Sequence, residues 1–168
     1  MMRCELTPAR WEEVAAIMEI LRSGREFQRQ QGFVQWDDCH PTREAVEADI
    51  RRGDGYAIRV EDTLAGYLCL SVDGDPAYPA IEGRWRFTGA YAVIHRMAIG
   101  EACRGRGLTE VVFRLAGEIA RQRGVEILRI DTHEENLRMR HVLAKNGFGY
   151  CGKVMQNGGE RLAFDRKI

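Results

Sequence analysis

No stretch of this chain approaches the ~20 consecutive apolar residues that a membrane-spanning helix requires. The opening residues, Met1 to Thr7, contain no apolar signal core, so neither a membrane partner nor a secretory route is expected. No Cys-x-x-Cys occurs among the five cysteines, Cys4, Cys39, Cys69, Cys103 and Cys151, and their number is odd. That excludes a disulfide framework and the usual zinc-binding spacing; it points to reduced thiols in a cytoplasmic protein with no metal site. There is no excess of charge, because 25 Lys and Arg balance 25 Asp and Glu. A nucleic-acid partner normally needs a basic surface, so none is expected. Internal repeats and low-complexity segments are absent. So is the run Gly, four residues, Gly, Lys, Ser or Thr, which excludes a nucleotide-binding P-loop.

What remains is an ordinary globular composition, 45% apolar and 30% charged over 168 residues, which suits a single domain spanning residues 1–168. The most informative stretch runs from Tyr91 to Arg123. Tyr91 to Ile99 is an apolar, β-branched run that reads as a buried strand. Gly100 to Leu108 is a turn with three glycines and two arginines. From Thr109 a helix is predicted, because Leu108, Val111, Val112, Leu115, Ala116 and Ile119 repeat at helical spacing. A strand, a glycine turn and a helix start aim free N–H groups at one point, at the positive end of the helix dipole. A pyrophosphate fits there. Gly105 and Gly107 permit close approach, and Arg104 and Arg106 bring charge.

Three readings of Arg104 to Thr109 compete with a plain basic surface turn. The P-loop is already excluded. A dinucleotide fingerprint, Gly-x-Gly-x-x-Gly, would place its third glycine at Glu110, where the charge is wrong for a phosphate. The third is the Arg/Gln-x-x-Gly-x-Gly/Ala turn, matched by Arg104, Gly107 and, at the last position, the small but β-branched Thr109. Downstream lies a strand, Ile127 to Thr132, and then Asn136, Val142, Lys145, Gly147 and Phe148 in the register of Asn-x-x-Ala-x-x-Leu-Tyr-x-Lys-x-Gly-Phe. With both motifs in order, the segment from Tyr91 to about Cys151 resembles the GNAT family of N-acetyltransferases.

The rest of the chain supplies the element order. A strand over Arg3 to Leu6 precedes a helix capped by Thr7 with Pro8 at its first position, ended or interrupted at Gly24. A polar stretch from Arg25 to Pro41 contains Phe27, Phe33 and Trp36. Thr42 caps a second helix, terminated by Gly53 and Gly55. Tyr56 to Glu61 and Leu64 to Val72 form a hairpin, Asp73 to Pro79 a turn cluster, and Ile81 to Phe87 a weaker strand. A helix near Glu135 to Asn146 and a last hairpin through Asn157, Gly158 and Gly159 complete it. The expected fold is α+β: a mixed, mostly antiparallel sheet with splayed parallel strands and helices on both faces.

The resemblance implies an enzyme that moves the acetyl group of acetyl-CoA to a primary amine, of a small molecule by preference, since no basic groove is evident. It implies that Met97, Ala98 and Ile99 pair with the pantetheine arm. The pyrophosphate would sit on Arg104, Gly105, Arg106, Gly107, Leu108 and Thr109, with Asn136 touching the cofactor arm. A homodimer is common in the family. Two departures stand out. The position of the family's acid, a Tyr, is Leu143, which cannot donate a proton, and the strand before the turn has no Glu. A non-catalytic acyl-CoA-binding module is therefore the alternative. Candidate catalytic groups are His95 on the first strand, His133 at the end of the second, and the thiol of Cys151. Each has an ordinary structural reading: a hydrogen-bonded core histidine, a helix-entry residue, and a buried thiol. Trp36, Tyr78 and Trp85 are candidates for shaping the acceptor pocket.

Overall fold

Eight strands, the central ones buried on both faces, build one sheet, seen in a computed structural model that describes residues 2–168. In chain order the strands are β1 (Cys4–Pro8), β2 (Gly55–Val60), β3 (Thr63–Ser71), β4 (Glu82–Gly83), β5 (Ala92–Ile99), β6 (Ile127–Thr132), β7 (Gly149–Gln156) and β8 (Gly159–Lys167). The helices are α1 (Val14–Gln30), α2 (Arg43–Arg52), α3 (Leu108–Gln122) and α4 (Leu137–Lys145). Across the sheet the order is β1-β2-β3-β5-β6-β8-β7-β4, and among the described residues only β5 and β6 pair in parallel. Period-2 alternation divides the side chains between two faces. Ile58, Leu70, Ile94, Leu128 and Ile130 meet Val112, Phe113 and Ala116 of α3 and Leu143 of α4 in the main core. Tyr67 and Ala98, on the other face, meet Ile17 and Leu21 of α1 and Val46 of α2. Two-residue turns with positive φ, Glu61-Asp62 and Asn157-Gly158, close the β2–β3 and β7–β8 hairpins.

The feature that positions the site is a bulge in β5. Tyr67 pairs with Ala98 and Cys69 with His95, so Leu68 of β3 opposes two residues of β5, Arg96 and Met97. Arg96 carries a left-handed φ of 52°. The parallel pairing of β5 with β6 is confined to Ala92–Leu128 and Val93–Arg129. Beyond it the two strands part, and the β6-facing main chain of Met97 to Ile99 has no strand partner. Asp49 of α2, wholly buried, grips the bulge: Arg96 donates from Nε and Nη2 to its two carboxylate oxygens at 2.8 and 2.5 Å. Tyr67 Oη and Arg52 Nη2 donate to the same carboxylate at 2.6 and 2.9 Å.

Three expectations are corrected here. Pro8 ends β1 and does not begin a helix; β1 is an edge strand, where a missing N–H is tolerated, and the Thr7 hydroxyl accepts from Arg59 Nε at 2.9 Å. Gly24 does not stop α1, which runs on to Gln30. A Cβ there would stand 3.2 Å from both Ala98 Cβ and the Trp36 ring, so this glycine lets helix, strand and indole close together. The strand expected over Ile81 to Phe87 shrinks to Glu82–Gly83, because the following residues turn to β8: Arg86 Nε and the Phe87 N–H donate to the Asp165 carboxylate at 2.7 and 3.0 Å.

Candidate active site

Where β5 and β6 part, two cavities open and meet. The first, about 390 Å³, lies between α1, the start of α3 and α4, and is lined by Met97, Ala98, Ile99, Arg104, Gly105, Gly107, Leu108, Thr109 and Asn136. The second, about 360 Å³, lies between α2 and the ends of β5, β6 and β8 and holds Asp75, His95, Asp131 and Arg161. Gln28, Trp36, Met97, Asn136 and Met139 line both.

In the first cavity, Gly105 and Gly107 have φ of 74° and 73°, and a Cβ at either would meet no other atom within 4 Å. Their α-carbons therefore face open space, and a larger residue would fill the cradle. The N–H groups of Gly105 to Thr109 donate to no main-chain carbonyl of the described residues. These are the unpaired donors that a pyrophosphate requires. Arg104 lines the cavity, but its guanidinium lies on protein: Nε donates to Ile99 O at 3.1 Å, Nη2 to Ser23 Oγ at 2.8 Å, and the group sits 4.4 Å over the Phe27 ring. Burial lowers its pKa. The exposed Arg106 side chain lines neither cavity, whereas Arg138, His141 and Lys145 of α4 line the first. Asn136 is the N-cap of α4, its Oδ1 accepting from the Met139 N–H at 3.2 Å while Nδ2 donates to Thr132 Oγ1.

The second cavity is the polar one. His95 Nε2 lies 2.8 Å from Asp75 Oδ2, so Nε2 is the ring nitrogen that donates to the carboxylate. Burial alone would raise the Asp75 pKa. Hydrogen bonds from His95, the Ala77 N–H and Gln156 outweigh it and hold the carboxyl below its ordinary range. Asp131 behaves oppositely: burial raises its pKa despite His95, a 2.7 Å hydrogen bond from Tyr78 Oη, and Arg161. Tyr78 is itself wholly buried, and burial followed by the Asp131 charge holds its hydroxyl neutral.

Other candidates fall outside. His133 stacks on Phe33 at 5.3 Å between ring centres, its Nδ1 accepting from the Glu135 N–H at 3.1 Å, and it lines neither cavity. Cys151 is buried on β7 against Gly149 O, with its thiol pKa pushed up by burial, and also lines neither. Trp85 donates Nε1 to Tyr78 O at 3.0 Å and packs under Arg129, a support behind the pocket. Leu143 is fully buried in the main core. Asp75, Asp131 and Arg161 escaped sequence reading. The signal for Asp131 was there: with Arg129 it places two charges on one face of an otherwise apolar, buried strand.

Parted parallel strands beside a glycine turn and a bare helix N-terminus give the α+β architecture expected from the sequence, with an open anion site at the helix start. The chain belongs to the GNAT acetyltransferase family, whose model matches residues 15–148. A GNAT acetyltransferase from Streptococcus agalactiae is 31% identical, with a TM-score of 0.88 over 98% of this chain and 95% of that one. The PaiA N-acetyltransferase of Thermoplasma acidophilum, solved with coenzyme A, is 15% identical with a TM-score of 0.74, covering 99% of each chain. A Salmonella typhimurium acetyltransferase that modifies the N-terminal serine of ribosomal protein L7/L12 is 20% identical, with a TM-score of 0.68 over 98% of this chain and 95% of that one. No curated protein sequence matches. The acetyl donor is acetyl-CoA, and the open glycine cradle with its undonated N–H groups fits the pyrophosphate of that molecule.

Proposed function

We propose that this acetyltransferase acts on the primary amine of a small molecule, with His95 as the base. The observation that carries the reading is the junction of the two cavities at Met97 and Asn136, with the His95–Asp75 pair on the acceptor side. Acetyl-CoA supplies an acetyl group on a good leaving thiol. The N–H groups of Gly105 to Thr109 and the free edge of Met97 to Ile99 hold it in place, and Asn136 stands at the end of its arm. The amine arrives as an ammonium. Asp131 shapes the place where it rests, backed by the hydroxyl of Tyr78, which is wholly buried and lines neither cavity, and His95 Nδ1 takes its proton, directly or through water. Asp75 fixes the imidazole orientation and steadies the charge that forms on it. Trp36 closes the junction from the helical side. Five free cysteines are in keeping with a cytoplasmic setting.

Calorimetric titration with acetyl-CoA, and with NAD and ATP as controls, tests the donor half: selective binding of acetyl-CoA is expected. For the base, His95→Ala should lower kcat about 10²–10⁴-fold with acetyl-CoA affinity retained. Full turnover in that variant would leave catalysis to positioning alone and remove His95 from its role.

A further inference from the structure

Three polar side chains of the acceptor cavity, His95, Asp131 and Arg161, come from three adjacent strands and share one face of the sheet, and Asp75 joins them from a loop. His95 follows Val93 at period two on β5, and Val93 pairs with Arg129 on β6. Asp131 follows Arg129 on the same face and pairs with Ala163 of β8; Arg161 lies two residues before Ala163. Asp131 and Arg161 are thus diagonal neighbours across a strand pair, within roughly 8 Å at the backbone. Asp131 Oδ2 takes the Tyr78 hydroxyl. Arg161 is only 6% exposed, yet among the described residues no carboxylate pairs with it: its partners are the carbonyls of Gln35 and Glu160, at 2.6 and 3.2 Å. Those two bonds leave part of its five-donor fork free.

The neighbouring buried cation shows how this fold otherwise houses a guanidinium. Arg129, also 6% exposed, lies between the rings of Trp85 and Tyr91 at 4.2 and 4.0 Å and donates to Phe87 O. Arg161 has no ring beside it and borders the cavity. A buried cation with spare donors, facing a cavity that also holds two carboxylates, is matched by a ligand that bears both signs. A plain amine would place its positive charge beside Arg161. A plain anion would meet Asp75 and Asp131.

Resting on the small-amine reading above, we infer that the acceptor is a zwitterion of amino-acid size, its oxyanion held by Arg161 and its amine set between Asp131 and His95. The cavity of about 360 Å³ has room for such a molecule with a side chain of moderate size. A carboxylate is matched by the planar guanidinium fork, and a phosphorus oxyacid by the same donors. Arg161 is a specificity-determining residue on this account.

The experiment uses the whole chain with acetyl-CoA and reads release of the free thiol. The panel is the common amino acids, their carboxamides, 1-aminoalkylphosphonates, dipeptides and spermidine. Amino acids or aminophosphonates should exceed the matched neutral amines in kcat/KM by on the order of 10- to 100-fold; which of the two series leads identifies the oxyanion. Arg161→Gln should erase that ratio through KM while the affinity for acetyl-CoA is kept, and Arg161→Lys should restore part of it. Retained acetyl-CoA binding and a native melting curve show that the variants are folded. Turnover confined to carboxamides, dipeptides or spermidine, or a ratio unmoved by Arg161→Gln, overturns the amino-acid-sized zwitterion and leaves acetyl transfer standing. Failure to bind acetyl-CoA would instead sink the reading beneath it.

Discussion

Asp49→Ala tests whether one carboxylate outside both cavities sets the geometry of the acetyl-CoA cleft. Asp49 has no exposed surface and accepts four hydrogen bonds from Arg96, Tyr67 and Arg52, at 2.5 to 2.9 Å. Alanine would leave the Arg96 guanidinium, three-quarters covered, without its counter-ion and the buried Tyr67 hydroxyl without an acceptor. Breaking a buried charge pair on one side costs about 3–5 kcal/mol. For a chain of this length that is a fall in Tm of roughly 6–20 °C. There is a second consequence, because Arg96 holds a left-handed backbone whose cost is about 1–3 kcal/mol and which only its surroundings enforce. Once released, the bulge can relax, and Met97 to Ile99 move off the edge proposed to face the cofactor. Affinity for acetyl-CoA should then drop, by about tenfold if one good hydrogen bond is lost. Adding Arg96→Gly removes the orphaned charge and the strained φ together, so the double variant should be more stable than Asp49→Ala alone. Differential scanning calorimetry and acetyl-CoA titration read both effects. A melting temperature within about 1 °C of the parent would refute the energetic argument. A large loss of stability with unchanged acetyl-CoA affinity would refute the link from Asp49 to the cleft.

Two further outcomes follow from the site. The Asp131 carboxyl has a raised pKa in the folded protein, so the native state holds its proton more tightly than the unfolded chain; stability is lost as pH rises from the unfolded value through the folded one. Asp131→Asn should therefore melt higher than the parent at about pH 7.5, with the gain vanishing in acid, and acetylate more slowly; a lower melting temperature across that range would contradict the burial argument. Gly107→Val puts a β-branched residue at a φ of 73° and a side chain into the open cradle, and should weaken acetyl-CoA binding while costing about 1–3 kcal/mol; calorimetric titration showing parental affinity would remove the turn from the pyrophosphate site.

Much of this protein is written in local pattern. The strand at Ile127 to Thr132 falls where its apolar run predicts, and the Thr42 cap is formed, with Oγ1 accepting from Ala45 N–H at 3.0 Å. The turn at Gly105 and Gly107 needs backbone that only glycine adopts without strain, so it could be read from two letters. These features are local in the chain, set by hydrogen-bond supply and steric freedom within a few residues. Even so, Gly24 and Pro8 carry other roles here, because packing against Trp36 and an edge position in the sheet decide what a glycine or a proline does.

The acceptor chemistry is of the other kind. Asp75 sits in a turn cluster, Asp131 on one strand and Arg161 on another, and no spacing along the sequence relates them. Only the pairing of β6 with β8, and the loop that carries Asp75 to His95, bring them to one cavity. The same holds for Asp49 and Arg96, separated by 47 residues and joined because α2 packs over the bulge. The sequence by itself determined the family, through its resemblance to two motifs, and also the glycine turn and most of the elements, which rest on short-range backbone physics. Tertiary structure decided which charges are buried together and which are left without a partner, because burial and pairing belong to the packed chain.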